Sequence, residues 1–156
     1  MYLSIIVLIY SIFVLFFFND VIIFGNTFAS GDSFNPYAIH HILDQIRLAS
    51  SEWPQWQPWI FSGMPTLEAF TYVNLLYLPS YFLDLLGVSD LNIQFMHLVF
   101  SAVSMFYLVQ KLIQNKKIAF ISGLLWMLNP FLITMIVYGH GSQMMTAAFL
   151  PITLLL

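Results

Sequence analysis

Asp32 is the residue of this chain best placed, by type and by setting, to do chemistry. It follows Gly31, after a first apolar segment and just before a helix start signal. A carboxylate there can act as general base toward a hydroxyl or hold a divalent cation. The same place also suits an Asp32 or Ser33 that only caps a helix or turn. Arg47, the one cation before residue 91, could neutralise a phosphate or complement the dipole at the end of a helix. Glu52 and Glu68 are further candidate carboxylates, or solvated loop acids. His140 lies between two glycines, where a phosphate or hydroxyl contact competes with a plain interfacial turn. His40 and His41 are adjacent, so on a helix they diverge by about 100° and make a poor chelating pair. Trp53, Trp56 and Trp59 alternate with Pro54 and Pro58; such rings form membrane-interface belts and also stack on sugar faces. His97 sits in an apolar stretch, where an imidazole is costly unless paired. With no cysteine there is no disulfide framework or thiolate nucleophile, and no P-loop, zinc-protease motif, serine elbow or dinucleotide fingerprint occurs.

The elements that must carry these residues are apolar. The chain is 60% hydrophobic and 7% charged, against about 25% charged for a soluble domain, which points to an integral membrane protein. Four Lys or Arg and a net charge of -3 leave no basic footprint, so no nucleic-acid partner is expected. Spans are predicted over residues 3–24, 91–110 and 118–138. A fourth, 143–156, falls short of the roughly 20 residues needed, and the chain stops inside it, which predicts the amino-terminal portion of a longer protein, inactive and poorly stable alone. The first segment reads as an uncleaved anchor and not a signal peptide, because Met1-Tyr2 brings no Lys or Arg and the apolar run is too long. Residues 25–90 read as one large loop. Within it, Asn35 and Pro36 open a helix with Ile39, Ile42, Leu43 and Ile46 on one face, lying in the interface plane, and residues 75–86 form a second interfacial piece interrupted by Pro79. Gln94, His97, Ser101 and Ser104 make a polar stripe on the second span that should face other helices. Asn129-Pro130 should kink or break the third.

All seven acidic residues precede residue 91, while Lys111, Lys116 and Lys117 share one short turn. The positive-inside rule puts that turn and the N-terminus in the cytoplasm, with the large loop and His140 outside.

Gly31-Asp32, then Asn35-Pro36-Tyr37, then Trp53-Pro54-Gln55-Trp56-Gln57-Pro58 running into Gly63-Met64-Pro65 is similar to the start of bacterial YfhO-like membrane proteins. Asn129-Pro130-Phe131, and Gly139-His140 ahead of a span containing Pro151, also resemble that family. The resemblance implies the GT-C superfamily of glycosyltransferases: an all-α polytopic transmembrane bundle in the bacterial cytoplasmic membrane, with a large outer first loop containing interfacial helices. It implies transfer of a sugar from a polyprenyl-phosphate donor to a glycan or lipid acceptor on the outer face, with Asp32 as the catalytic residue. Trp56, Glu68, Arg47 and His140 are then candidate substrate-binding residues. Asp32 would take a proton from the acceptor hydroxyl as it attacks the anomeric carbon, and the leaving lipid phosphate would need positive charge or a metal: Arg47, His140 or residues beyond Leu156. Ser33-Phe34 follows Gly31-Asp32, so a second acid beside Asp32 is absent, and the divalent-cation requirement stays open. The alternative from another class is a transporter or channel subunit using the Gln94 stripe, or a structural membrane protein with no site.

Overall fold

The structure, a computed structural model, describes residues 2–52, 54–59, 61–66 and 77–156. The chain is mostly helical and divides into two units, one of residues Met1–Phe28 and Ser89–Leu156, the other Ala29–Val88.

The first unit is built around one long helix. In chain order its elements are α1 (Tyr2–Phe17) and α2 (Asn19–Ile22), then, after the second unit, α5 (Asp90–Ile113), α6 (Lys116–Met127), α7 (Pro130–Val137), α8 (Gly141–Ala148) and α9 (Leu150–Leu155). The central α5 starts at Ser89, whose hydroxyl accepts from Asn92 N, and ends at Gln114, which turns left-handed at φ 59°. It packs against α1, α6, α8 and α9.

Small residues bring these helices together. Ala102 on α5 and Ala119 on α6 are fully buried. Gly123, one turn beyond Ala119, lies so close to the Ala102 carbonyl and the Tyr10 hydroxyl that an added Cβ would come within 2.6 Å of Ala102 O. The Tyr10 ring stacks on Phe120 at 5.2 Å, and its hydroxyl donates to Phe120 O at 2.9 Å. This Ala-xxx-Gly spacing is the close-packing pattern of helices that meet without help from water. Toward the other end of α1, Phe18 stacks on Phe95 at 4.6 Å. Lys111, in the last turn of α5, donates to Leu155 O of α9 at 2.8 Å.

Several expected elements take a different form. The first segment is not one helix through residue 24: α1 stops at Phe17, Asn19 turns its amide back to Phe16 O, and α2 is a separate short turn. A polar side chain that bonds a nearby carbonyl offers the backbone an alternative to continuing the helix. Helix α5 is longer than expected, 90–113 against 91–110. The break at Asn129-Pro130 occurs as expected, with Asn129 accepting from Phe131 N at 2.9 Å and Pro130 opening α7. The last apolar run is split at Phe149 into α8 and α9, with Pro151 near the start of the second. Two helices or helix pairs, Asp90–Ile113 and Lys116–Val137, are long and apolar enough to cross a membrane.

The second unit contains α3 (Gly31–Ser50), β1 (Trp56–Gln57), β2 (Met64–Pro65) and α4 (Leu78–Leu85). Pro79 does not interrupt α4 but sits in its first turn, where its missing N–H costs no intrahelical bond. The antiparallel pair β1–β2, with Trp56 opposite Pro65 and Gln57 opposite Met64, was not expected in an all-α chain. Two-residue strands between prolines are too short to show a period in the sequence.

Candidate functional site

In the second unit α3 determines where the expected site residues stand. The helix opens at Gly31, five residues earlier than the Asn35 cap and Pro36 start suggest, and Ser30 O receives the first backbone bond, from Phe34 N at 3.2 Å. Ser30 therefore holds the cap position, and Pro36, inside the helix, removes a single intrahelical donor. Asp32 falls in the first helical turn and is exposed. Arg47 falls in the last turn, also exposed. The two are on one helix, about 22 Å apart along its axis at roughly 1.5 Å per residue. The helix thus separates them, and Arg47 cannot touch a phosphate at an atom that Asp32 also touches.

The apolar face expected on this helix is present in part: Leu43 is buried and Ile39 and Ile46 half-buried, but Ile42 is exposed, as is Phe34. His41 reaches Gln45 one turn on, Nε2 to Nε2 at 3.2 Å. Trp56 stands on β1 and is half exposed. Trp53 and Glu68 lie outside the described residues.

The hairpin also buries polar atoms that the sequence did not single out. Gln57 pairs with Met64, and Thr66 N donates to Gln55 O at 2.9 Å, so Gln57 and Thr66 share one face. Both are buried, as is Ser80, and neither amide atom of Gln57 nor either hydroxyl has a hydrogen-bond partner. A buried polar group left so costs about 1–3 kcal/mol. The only sequence signal for Gln57 was its alternation with Trp56.

In the first unit the polar stripe of α5 faces the interior. His97, Ser101 and Ser104 are buried, and each turns back to a carbonyl of its own helix: His97 Nδ1 to Ile93 O, Ser101 to Leu98 O and Ser104 to Phe100 O, all at 2.8 Å. A carbonyl only accepts, so the His97 proton sits on Nδ1. The imidazole and the Phe149 ring pack edge-to-face at 6.1 Å between centroids. Gln94 is seated against Gly141, where a Cβ would come within 2.6 Å of its Oε1, and that oxygen is buried without a partner.

His140 occupies the turn between α7 and α8 and is half-buried. Its position follows from the helix end before it. Gly139 is left-handed at φ 86°, its N–H reaches Ile136 O, and His140 N reaches Met135 O at 2.7 Å. These two bonds together are a Schellman termination.

Asp32, Arg47 and Trp56 thus belong to one unit and His140 to the other. Among the described residues, no three His, Asp or Glu side chains gather into a possible metal site. No protein-family model matches the chain, and neither characterised proteins nor solved structures give a match.

Proposed function

We propose that the chain is a multi-pass membrane protein that moves a sugar from a polyprenyl-phosphate donor to a glycan or lipid acceptor at the outer face of the cytoplasmic membrane. Membrane insertion is supported by surface, not only by composition. The apolar windows of 90–113 and 116–137 are 33% and 22% buried within the fold, and Leu112, Ile121, Leu125 and Phe131 are all more than half exposed. Exposed apolar side chains along both helices favour lipid around them.

The observation that carries the catalytic part of the reading is the exposed Asp32 carboxylate in the first turn of α3, in a unit strung between apolar segments. Asp32 accepts the acceptor hydroxyl's proton while that oxygen bonds to the anomeric carbon. The bond from that carbon to the phosphate oxygen breaks, and the lipid phosphate leaves with the electron pair. Arg47, at the far end of α3 from Asp32, is not the partner of the group leaving at Asp32.

The test is transfer from a radiolabelled polyprenyl-phosphate sugar in membranes of cells expressing the protein, wild type beside Asp32→Asn at matched levels. Loss of a general base predicts a fall of about 100-fold or more; undiminished transfer removes Asp32 from the mechanism.

A transporter or channel reading draws on the broken segments at Asn129-Pro130 and Phe149 and on the unpartnered Gln94 Oε1, since discontinuous helices often flank transport sites. It predicts a large effect of His97→Ala and little of Asp32→Asn. The satisfied, inward-turned His97, Ser101 and Ser104 weigh against it.

A further inference from the structure

Residues 53–67 hold three of the four tryptophans and no charged side chain, and the structure gathers their centre into the β1–β2 hairpin. The connection turns through Phe61, Ser62 and Gly63, all left-handed, at φ 51°, 63° and 114°. Phe61 and Ser62 pay a steric penalty there, and such a conformation persists only where its surroundings hold it. Gly63 is required twice, by its φ and by Trp56, whose indole would lie 2.6–2.8 Å from any Cβ. The result is a shaped tip that presents Trp59 at 52% and Phe61 at 81% exposure, with Trp56 at 55% beside them.

We propose that this hairpin is a membrane-interface wedge, with Trp59 and Phe61 entering the headgroup region of the leaflet beside it, so that its partner is the lipid surface. The inference rests on the membrane reading above. The chain leaves the first unit at Phe28, which packs edge-on against Phe18, and returns at Ser89, the cap of the membrane-length α5. On that reading both ends of the second unit emerge at one face of the bilayer, and the hairpin between them is tethered there. Tryptophan is the side chain that most favours the headgroup level. A charge-free tip gives up no hydrated ion on entering it, and a pre-shaped turn loses little freedom when it binds.

The absence of cysteine lets single-cysteine variants report one position each. Phe61→Cys, Ser51→Cys and Leu125→Cys, at exposed positions, would carry an environment-sensitive fluorophore in the full chain, reconstituted in phosphatidylcholine vesicles. Nitroxide lipids labelled near the headgroup or deep in the acyl chain, and aqueous iodide, serve as quenchers. The wedge predicts that the Phe61 label loses about half its emission to the shallow nitroxide and is shielded from iodide, with the Ser51 label showing the reverse and Leu125 responding to the deep nitroxide. A Phe61 label open to iodide and blind to both lipids, with Leu125 still quenched, overturns the wedge alone. If Leu125 is also blind, the membrane reading falls and the wedge with it. If soluble oligosaccharide, but not lipid, shields the Phe61 label, the surface belongs to a glycan and the proposal is wrong.

Discussion

At the residue scale, the close approach at Gly123 and the separation along α3 are the most informative features. Gly123 leaves no room for a methyl group between the Tyr10 hydroxyl and Ala102 O. Gly123→Ala should therefore force α1, α5 or α6 to shift, at about 1–3 kcal/mol. Tyr10→Phe, which removes only the hydroxyl bond to Phe120 O, should cost about 0.5–1.5 kcal/mol. Thermal unfolding in detergent micelles, followed by circular dichroism, checks the order; an Ala variant as stable as wild type would mean that the helices do not meet here. The Ala119-xxx-Gly123 spacing stands in the sequence without marking itself as a contact, and the fold shows which partners use it. Asp32 precedes and Arg47 ends the helix that the sequence marks, so their separation was legible; that the helix itself extends back through Asp32 was not.

At the element scale, breaks and caps were readable where their chemistry is local. Asn129-Pro130 announces a new helix start, because the side chain accepts a backbone N–H and the proline has none to offer. Replacing both, Asn129→Ala with Pro130→Ala, should let 116–137 run on as one helix. Spin labels on cysteines placed at Ile121 and Phe131, both exposed, would then sit about 15 Å apart along the axis, a spacing the broken parent should not show. Unchanged distances would mean that packing, and not the Asn-Pro signal, makes the break. The start of α3 departs from its sequence signal for a related reason. Asn35-Pro36 is a valid start signal, but Ser30 is one too, and a proline early in a helix removes only one bond.

For the whole molecule, the proposed orientation rests on the charge distribution and is open to direct test. Gln114→Cys, exposed in the Lys-flanked turn after α5, should react with a membrane-impermeant maleimide only after cells are permeabilised, whereas Ser51→Cys should react in intact cells. Labelling of Gln114→Cys in intact cells would invert the topology. Lys111 reaching Leu155 O places the C-terminal ends of α5 and α9 together, and Gln94 against Gly141 does the same for the starts of α5 and α8. In a four-segment antiparallel arrangement, these pairs lie at opposite ends.

The amino-acid sequence by itself determined the membrane-like composition, the mainly helical content, the break at Asn129-Pro130 and the inward side of the α5 stripe. Each depends on side-chain polarity or on backbone chemistry within a few residues. The tertiary structure alone decided that α1 ends at Phe17, that the proline-rich segment closes as a hairpin with a left-handed aromatic tip, and that Tyr10, Ala102 and Gly123 meet. Those outcomes turn on which groups from distant parts of the chain compete for the same space and the same hydrogen bonds. A local window of residues does not contain that competition.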